Sequence, residues 1–204
     1  MQLDFSNFSA TQRYHLMTQS IIPRPIAWAL TDSENGSYNL APFSYFTAVS
    51  SDPALLMLSV GKKPNGENKD TLTNLLKNKK VVIHIASSEQ AELVTQTAAT
   101  LAHGESELSN TNLTTSNFES FSLPRLTQCD LAFGCELYEI KEIGDVPQSL
   151  IFVEIKQLYM NNEVIEEDTK GRIKILADKV QPLARLGGGE YASTSQPFTL
   201  QRPE

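Results

Sequence analysis

The sequence predicts a mainly β fold, an antiparallel barrel decorated by a few helices. Two long runs alternate apolar and polar residues, Leu131–Ile143 and Leu150–Tyr159, as strands with one covered face do. Several shorter strand-like runs precede them, with only two or three helical segments inserted. The regular strand–helix alternation of a doubly wound sheet is missing, so a barrel is favoured.

The first part of the chain predicts one helix and three extended segments. A short helix over Ser9–Ser20 comes first. A strand over 26–31 is followed by a turn over 32–37, and an extended segment over 38–48 returns the chain. These two extended segments predict a hairpin. A further strand follows at Ala54–Val60.

The middle of the chain predicts two helices around a buried strand. The first helix has leucines on one face and Asp70 or Thr71 as its N-cap. The apolar run Val81–Ala86 predicts a strand covered on both faces. A second helix is predicted from Glu89 towards Leu101, and the segment Gly171–Leu176 fits either a strand or a helix.

Composition narrows the class of protein. The chain has 204 residues, a length that suits one domain over residues 1–204 with its own hydrophobic core. A net charge of −7 disfavours a nucleic-acid binder. No apolar run is long enough to span a membrane, and the segment MQLDFSNFSA lacks a positive n-region and an apolar h-region, so we expect no signal peptide. We therefore expect a cytoplasmic protein.

Cysteines, histidines and short motifs argue against several chemistries. Cys129 and Cys135 lie in one strand-like run, about 20 Å apart if extended, which is too far for a disulfide. We interpret them as buried thiols. His15, His84 and His103 are scattered without metal-ligand spacing. The sequence contains no P-loop, no Rossmann fingerprint and no nucleophile elbow, so hydrolase and metalloenzyme functions are disfavoured.

An anion site is indicated between a strand and the helix that follows it. Ser59 ends the strand, Gly61 opens a basic loop, and Lys69 and Thr71 begin the helix. A helix N-terminus offers unpaired N–H groups and partial positive charge, which suit a phosphate, and the two hydroxyls can donate hydrogen bonds. The alternative, an ordinary capped helix behind a basic loop, is commoner and stays open.

A second cluster is an uncharged run of aromatic and small polar residues over 41–51. An extended strand here would present two faces, with Phe43, Tyr45 and Thr47 on one and Ser44 and Phe46 on the other. These faces could line a flat ring. The alternative is a core strand whose aromatic residues suit a pleated surface.

Three segments occur in a characteristic order: PRPIAWALTD, then NLAPFSYFTAVSSDPALLMLSVG, then KDTLTNL. In this order and spacing the chain resembles the flavin reductase-like, FMN-binding split-barrel family, which includes flavoredoxins. The resemblance is strongest from Pro23 to Ala86 and continues more loosely to Tyr191. It implies a six-stranded Greek-key split β-barrel, a homodimer, and non-covalent flavin mononucleotide (FMN) near the dimer interface.

The resemblance also implies which residues contact the cofactor. The implied set is Arg24, Trp28, Phe43, Ser44, Tyr45, Phe46, Thr47, Ala48, Ser59, Gly61, Lys69, Thr71 and Tyr191. Its aromatic run would follow the ribityl chain and ring, and its members from Ser59 to Thr71 would hold the phosphate. Tyr191 would approach from the C-terminal segment, across the dimer, and Trp28 could equally be a core residue.

The activity implied is that of an NAD(P)H-dependent flavin reductase, in which a transiently bound nicotinamide passes hydride to the flavin N5. No catalytic side chain is implied, because the flavin carries the chemistry. A monooxygenase or redox protein would be the partner. The alternatives are a flavoredoxin-like electron carrier that retains its FMN and a non-catalytic FMN-binding module.

Two positions bear on this resemblance. Many relatives carry Gly-Asp-His after the long strand, but here the loop reads Gly144-Asp145-Val146-Pro147, which puts redox tuning and substrate choice in question. His84 lies in a predicted strand. We expect it to be a packed structural residue, with a place near the flavin as the alternative.

Overall fold

The computed structural model describes residues 1–33, 36–102, 104–194, 196–201 and 203. Glu34 and Asn35 of the predicted turn, and His103, lie outside the described residues. The helices are α1 (Ala10–Ser20), α2 (Asp70–Asn78), α3 (Ala91–Gln96) and α4 (Ala177–Val180). The strands are β1 (Arg24–Pro25), β2 (Ala27–Asp32), β3 (Tyr38–Phe43), β4 (Phe46–Ser51), β5 (Ala54–Val60), β6 (Lys80–Ile85), β7 (Thr115–Ser116), β8 (Arg125–Leu126), β9 (Leu131–Ile143), β10 (Gln148–Met160), β11 (Ile165–Glu167), β12 (Ile173–Ile175), β13 (Leu183–Arg185) and β14 (Tyr191–Ser193).

The principal sheet has the strand order β3-β2-β6-β9-β10-β5-β4, and its described pairings are antiparallel. Its two edge strands, β3 and β4, are consecutive in the chain and separated only by Ser44 and Tyr45. So short a link spans roughly 10 Å, so the sheet must curl until its edges approach. The edges are not paired with each other, which leaves the barrel split. The mainly β prediction is therefore confirmed, with seven strands in the principal sheet where the resemblance implied six.

The link between the edge strands corrects one sequence prediction. The sequence predicts a single extended segment over 38–48 that pairs with residues 26–31. The chain instead leaves the β2–β3 hairpin at Ser44, and β4 pairs with β5 at the opposite edge. A hydrogen bond from Ser59 N–H to the Tyr45 carbonyl, at 2.9 Å, holds the link against β5. Barrel closure, which no local pattern encodes, sets this break.

The core lies on both faces of the central strands. Along β2, Trp28 and Leu30 pack into one buried cluster, while Ala27 and Ala29 pack into the other. The second cluster draws buried residues from β2, β3, β5, β6, β9 and β10 and therefore fills the barrel interior, which Leu72 and Leu75 of α2 also enter. The prediction that β6 is covered on both faces is confirmed, because its residues join both clusters.

His84 is a structural residue. Its ring is fully buried, Nε2 accepts a hydrogen bond from Leu126 N–H at 2.8 Å, and Nδ1 lies 3.0 Å from the Trp28 carbonyl oxygen. Since Nε2 accepts, Nδ1 carries the proton and donates it to that carbonyl. Burial lowers the pKa of His84 to about 4, so the ring is neutral near pH 7.

The cysteines behave as predicted. Cys129 and Cys135 are free and buried, and they pack in different clusters of the core. Burial is the main cause that raises the pKa of each thiol, to about 12. Both side chains are therefore protonated thiols near neutral pH.

Two helix boundaries differ from the sequence prediction, and one segment that the sequence left ambiguous contains a strand. The N-cap of α2 is Lys69 rather than Asp70 or Thr71, because its carbonyl accepts the first helical hydrogen bonds. Helix α3 ends at Gln96, well before the predicted end near Leu101. The ambiguous segment 171–176 contains the strand β12. Among the described residues, no helix has the length and apolar character needed to cross a membrane.

Candidate functional site

Two neighbouring cavities lie beside the link between the edge strands. The larger has a volume of about 540 Å³ and the smaller about 340 Å³, both within the roughly 300–1,000 Å³ range of small-molecule sites. Pro42, Phe43, Lys62 and Lys69 line both cavities. The two spaces therefore meet at the start of α2, where the sequence predicts an anion site.

Lys69 stands at this junction as an uncompensated cation. In the part of the chain that the structure describes, its ammonium has no ion pair or side-chain hydrogen bond, and Nζ lies 5.6 Å from the centroid of the Phe43 ring. Burial lowers the pKa of Lys69 because the charged form loses hydration. A bound anion would stabilise the charged ammonium that the loss of hydration destabilises, so Lys69 favours an anionic ligand.

The first turn of α2 adds hydrogen-bond donors on the side of the smaller cavity. Thr71 is 1% exposed, and its Oγ1 accepts a hydrogen bond from Asn39 Nδ2 at 3.0 Å, which leaves the hydroxyl hydrogen to donate. The first N–H groups of a helix also lack intrahelical partners. The carboxylate of Asp70 is balanced by Lys63, whose Nζ lies 2.9 Å away. Lys69 therefore supplies positive charge that Asp70 does not cancel.

The larger cavity is positively charged although the protein is acidic overall. Three of its lining side chains, Arg13, Lys62 and Lys69, are cations, and none of the described residues that line it is acidic. Lys62 donates a hydrogen bond to Asn68 Oδ1 at 2.7 Å and lies 3.8 Å from the Glu142 carboxylate. A local excess of one charge raises the local concentration of ligands of opposite charge.

Tyr45 contributes a hydroxyl without a partner. Among the described residues, its Oη is the one buried side-chain nitrogen or oxygen that makes no hydrogen bond. Burial raises the pKa of Tyr45, and the neighbouring Tyr14 adds to this effect, so the phenol is protonated near neutral pH. An unpaired buried hydroxyl costs about 1–3 kcal/mol, which a ligand atom in the cavity would offset.

The structure brings about half of the predicted cofactor residues together. Those that line the larger cavity are Phe43, Ser44, Tyr45, Ser59, Gly61 and Lys69. Thr71 lines the smaller cavity, so the predicted phosphate set is divided between two spaces that Lys69 joins. Neither cavity is lined by Arg24, Trp28, Phe46, Thr47, Ala48 or Tyr191.

Arg24 acts as a buried clamp behind the site. Its guanidinium donates to the carbonyls of Thr18, Ile21 and Leu186 and, at 3.3 Å, to Ser44 Oγ. These bonds tie the end of α1, the C-terminal segment and the edge link to one point. Arg24 therefore positions residues of the larger cavity without lining it.

Trp28 belongs to the core, the alternative that the sequence left open. It is fully buried, and its indole N–H donates to Thr97 Oγ1 at 2.8 Å. Thr97 is the C-cap of α3 and begins the stretch 97–101, which lines the smaller cavity. Trp28 thus contacts the wall of the smaller cavity through Thr97.

The other predicted contacts line neither cavity. Phe46 packs against the barrel cluster, and Thr47 and Ala48 are exposed on the edge strand β4. Tyr191 accepts a hydrogen bond from Thr95 Oγ1 at 2.9 Å. In the described ranges, no cluster of three histidine, cysteine, aspartate or glutamate residues could hold a metal ion.

Several lining residues were missed by sequence reasoning. Helix α1 contributes Ala10, Arg13, Tyr14 and Met17 to the larger cavity. Their spacing of i, i+3, i+4 and i+7 places them on one helix face, a pattern visible in the sequence. By contrast, no local signal marks Asn39, Glu107 or the stretch 97–101, which reach the smaller cavity only through the tertiary fold.

The loop that lacks the Gly-Asp-His motif is followed by a residue, Gln148, that lines the larger cavity. Val146 is 68% exposed and lines neither cavity. Gln148 follows the loop and lines the larger cavity, where a Cβ added to Gly61 would meet Gln148 Oε1 at 3.2 Å. Gly61 therefore permits the close approach of Gln148.

Comparisons with known proteins agree with this architecture. The chain is 35% identical to the uncharacterized protein YwrF of Bacillus subtilis (strain 168), over 96% of this chain and 95% of that protein. It is similar to the crystal structure of nitrilotriacetate monooxygenase component B from Bacillus cereus, with 31% identity, a TM-score of 0.89 and 98% of each chain covered. It is also similar to the 2-nitrobenzoate 2-nitroreductase NbaA of Pseudomonas fluorescens, with 29% identity, a TM-score of 0.87, and coverage of 100% of this chain and 96% of that one.

The family assignment follows from a match over most of the chain. The profile of the flavin reductase like domain matches residues 18–193, a range that includes both edge strands, the start of α2 and the long hairpin β9–β10. With the split barrel and the charged cavities already described, the chain belongs to the flavin reductase like domain family.

Proposed function

We propose that the protein binds FMN at the two cavities and acts as an NAD(P)H-dependent flavin oxidoreductase. The observation that carries this proposal is the ammonium of Lys69, which has no described ion pair or side-chain hydrogen bond at the point where the two cavities meet. Membership of a flavin reductase family supports the same chemistry.

The residues present fit FMN. The phosphate would be held by Lys69, by the Thr71 hydroxyl and by the first N–H groups of α2. The unpartnered Tyr45 Oη would donate to a polar atom of the ligand, and Phe43 would offer an apolar contact. FMN has a complement for each of these groups, because it carries a phosphate at the end of its ribityl chain and polar atoms along one edge of its aromatic ring.

The protein residues would bind and orient rather than transfer protons. When bound, FMN supplies the redox chemistry by accepting two electrons from a reduced nicotinamide as hydride. The cations lining the larger cavity favour negative charge there. Arg24 keeps Ser44 and the end of α1 in place through four described hydrogen bonds. Tyr45 remains protonated and can therefore donate.

We also propose a homodimer and a protein partner that receives electrons. Five residues of β4, Thr47–Ser51, are exposed along a sheet edge, and an exposed edge is commonly covered. One similar structure is named as component B of a monooxygenase, which supports a monooxygenase partner. Light scattering should give about twice 22.6 kDa, and a 22.6 kDa monomer would contradict the dimer.

Absorbance spectroscopy tests cofactor binding first. The purified protein is incubated with FMN, excess FMN is removed, and a flavin spectrum should elute with the protein. Oxidation of NADH and NADPH is then followed with free FMN as acceptor. Rapid turnover supports the reductase, whereas bound FMN with little turnover indicates the electron carrier. Bound FMN that stays oxidised under anaerobic NADH and NADPH indicates the non-catalytic module.

A double variant tests the phosphate assignment. Lys69→Ala with Thr71→Ala should weaken FMN binding by roughly 2–4 kcal/mol, because charge-assisted hydrogen bonds are lost. The matched control is Lys170→Ala with Thr169→Ala, which alters two exposed residues that line neither cavity. Equal FMN affinity of the two folded double variants, measured by titration, would remove the phosphate assignment.

A further inference from the structure

One wall of the larger cavity has features that an FMN phosphate does not require. This wall, the α1 wall, consists of Ala10, Arg13, Tyr14 and Met17. Ser9 is the N-cap of the helix and forms a capping box with Gln12, which fixes where the helix begins. Helix α1 buries only Thr18 among its residues, whereas Tyr14 is 56% exposed. The α1 wall is therefore an accessible surface inside a cavity.

The α1 wall carries one charged side chain, Arg13, and that side chain has no described partner. In the described part of the chain, the Arg13 guanidinium forms no ion pair and no hydrogen bond, and no acidic residue lines the cavity that it faces. Lys69, at the far junction, is the charge that we assign to the phosphate. Arg13 therefore offers a second anion contact, and its planar fork matches a carboxylate.

Aromatic rings lie next to this charge. The rings of Tyr14 and Tyr45 have centroids 6.4 Å apart and are tilted by 46°, so they form a corner rather than a stack. A planar ligand can stack on one ring and present its edge to the other.

We propose that the α1 wall binds a small aromatic carboxylate beside the cofactor site, a position that rests on the proposed function. The carboxylate pairs with the Arg13 guanidinium, the ring packs in the Tyr14–Tyr45 corner, and Met17 closes the apolar side. Charge alone would accept any anion, and the aromatic corner alone would accept any ring. The combination selects molecules that carry both.

Isothermal titration of the FMN-loaded protein tests the ligand class. Benzoate is compared with benzamide, which lacks the charge, and with cyclohexanecarboxylate, which lacks the aromatic ring. Benzoate should bind about tenfold more tightly than either, because each analogue loses one of the two interactions. Equal affinity for all three compounds, or no benzoate binding, would overturn the proposal.

Variants locate the site. Arg13→Gln should weaken benzoate binding about tenfold, and Tyr14→Leu should remove the preference for benzoate over cyclohexanecarboxylate. The matched control, Lys170→Gln, removes one positive charge from an exposed turn that lines neither cavity and should bind benzoate like the parent protein. Equal benzoate affinities of the Arg13→Gln and Lys170→Gln proteins would place the ligand elsewhere and overturn the proposal.

Failure of the cofactor proposal can be told apart from failure of this one. FMN binding is measured first, from the flavin spectrum. If FMN does not bind, the proposed function fails, and titration of benzoate into the FMN-free protein still tests the α1 wall through Arg13→Gln. If FMN binds but displaces benzoate, the α1 wall is not a separate site and the inference is wrong.

Discussion

Polar side chains behind the site differ from two of the polar side chains inside it in whether they have hydrogen-bond or ion-pair partners. Behind the site, the polar atoms of Arg24, Trp28 and His84 all have partners, in bonds that join distant segments. Inside the cavities, Lys69 has only an aromatic ring near its ammonium, and Tyr45 Oη has no partner. The satisfied polar groups hold the fold, and we propose that the two unsatisfied ones contact a ligand.

The physical reason is the cost of removing polar groups from water. A buried donor without an acceptor costs about 1–3 kcal/mol, which is a sizeable part of the stability of a domain. This cost is tolerated where a ligand restores the missing interaction. Three experiments, taken from the largest expected effect to the smallest, test whether the two regions differ in this way.

The largest effect is expected at Trp28. Trp28→Ala removes a fully buried ring and the hydrogen bond to Thr97, and it should lower the free energy of unfolding by about 3–5 kcal/mol in urea titrations. Tyr138→Ala, at a half-exposed residue of β9, should change it by less than about 0.5 kcal/mol. Similar losses in both variants would contradict the role of Trp28 as a core anchor.

His84 should make the fold sensitive to acid. The unfolded chain binds a proton at this ring near pH 6.5, whereas the folded chain does so only near pH 4, so stability falls as the pH drops between these values. Between pH 7 and pH 5 the loss should be about 2 kcal/mol in urea titrations.

His84→Gln removes this titration, so the free energy of unfolding should lose that part of its pH dependence. The control is His15→Gln, at an exposed histidine of α1, whose pH dependence should follow the parent protein. An unchanged pH dependence in His84→Gln would show that the ring is not the group responsible.

The smallest effect on stability, and the opposite in sign, is expected at Tyr45. Tyr45→Phe removes the unpartnered hydroxyl, so the free energy of unfolding should stay the same or rise by up to about 1 kcal/mol. FMN affinity should fall in the same variant. A clear loss of stability, measured by urea titration, would mean that the hydroxyl supports the fold and would weaken the distinction between the two regions.

Local patterns were sufficient to predict the two long strands and the start of α2. Alternation along residues 131–143 and 150–159 predicts β9 and β10, because one side of a barrel strand is covered and the period is two. The basic loop followed by Lys69 and Thr71 predicts donors at the start of α2, because a helix N-terminus always leaves N–H groups unpaired. The family resemblance rests on the same local segments.

The tertiary structure alone decided which residues share a cavity. The break at Ser44 and Tyr45 follows from barrel closure, a condition on distances between strands that are far apart in the sequence. Arg24 and Trp28 lie close to the predicted site in sequence, yet their polar atoms bond to segments elsewhere in the chain and line neither cavity. Hydrogen-bond partners of buried groups depend on long-range contacts, so sequence proximity does not separate supporting residues from ligand contacts.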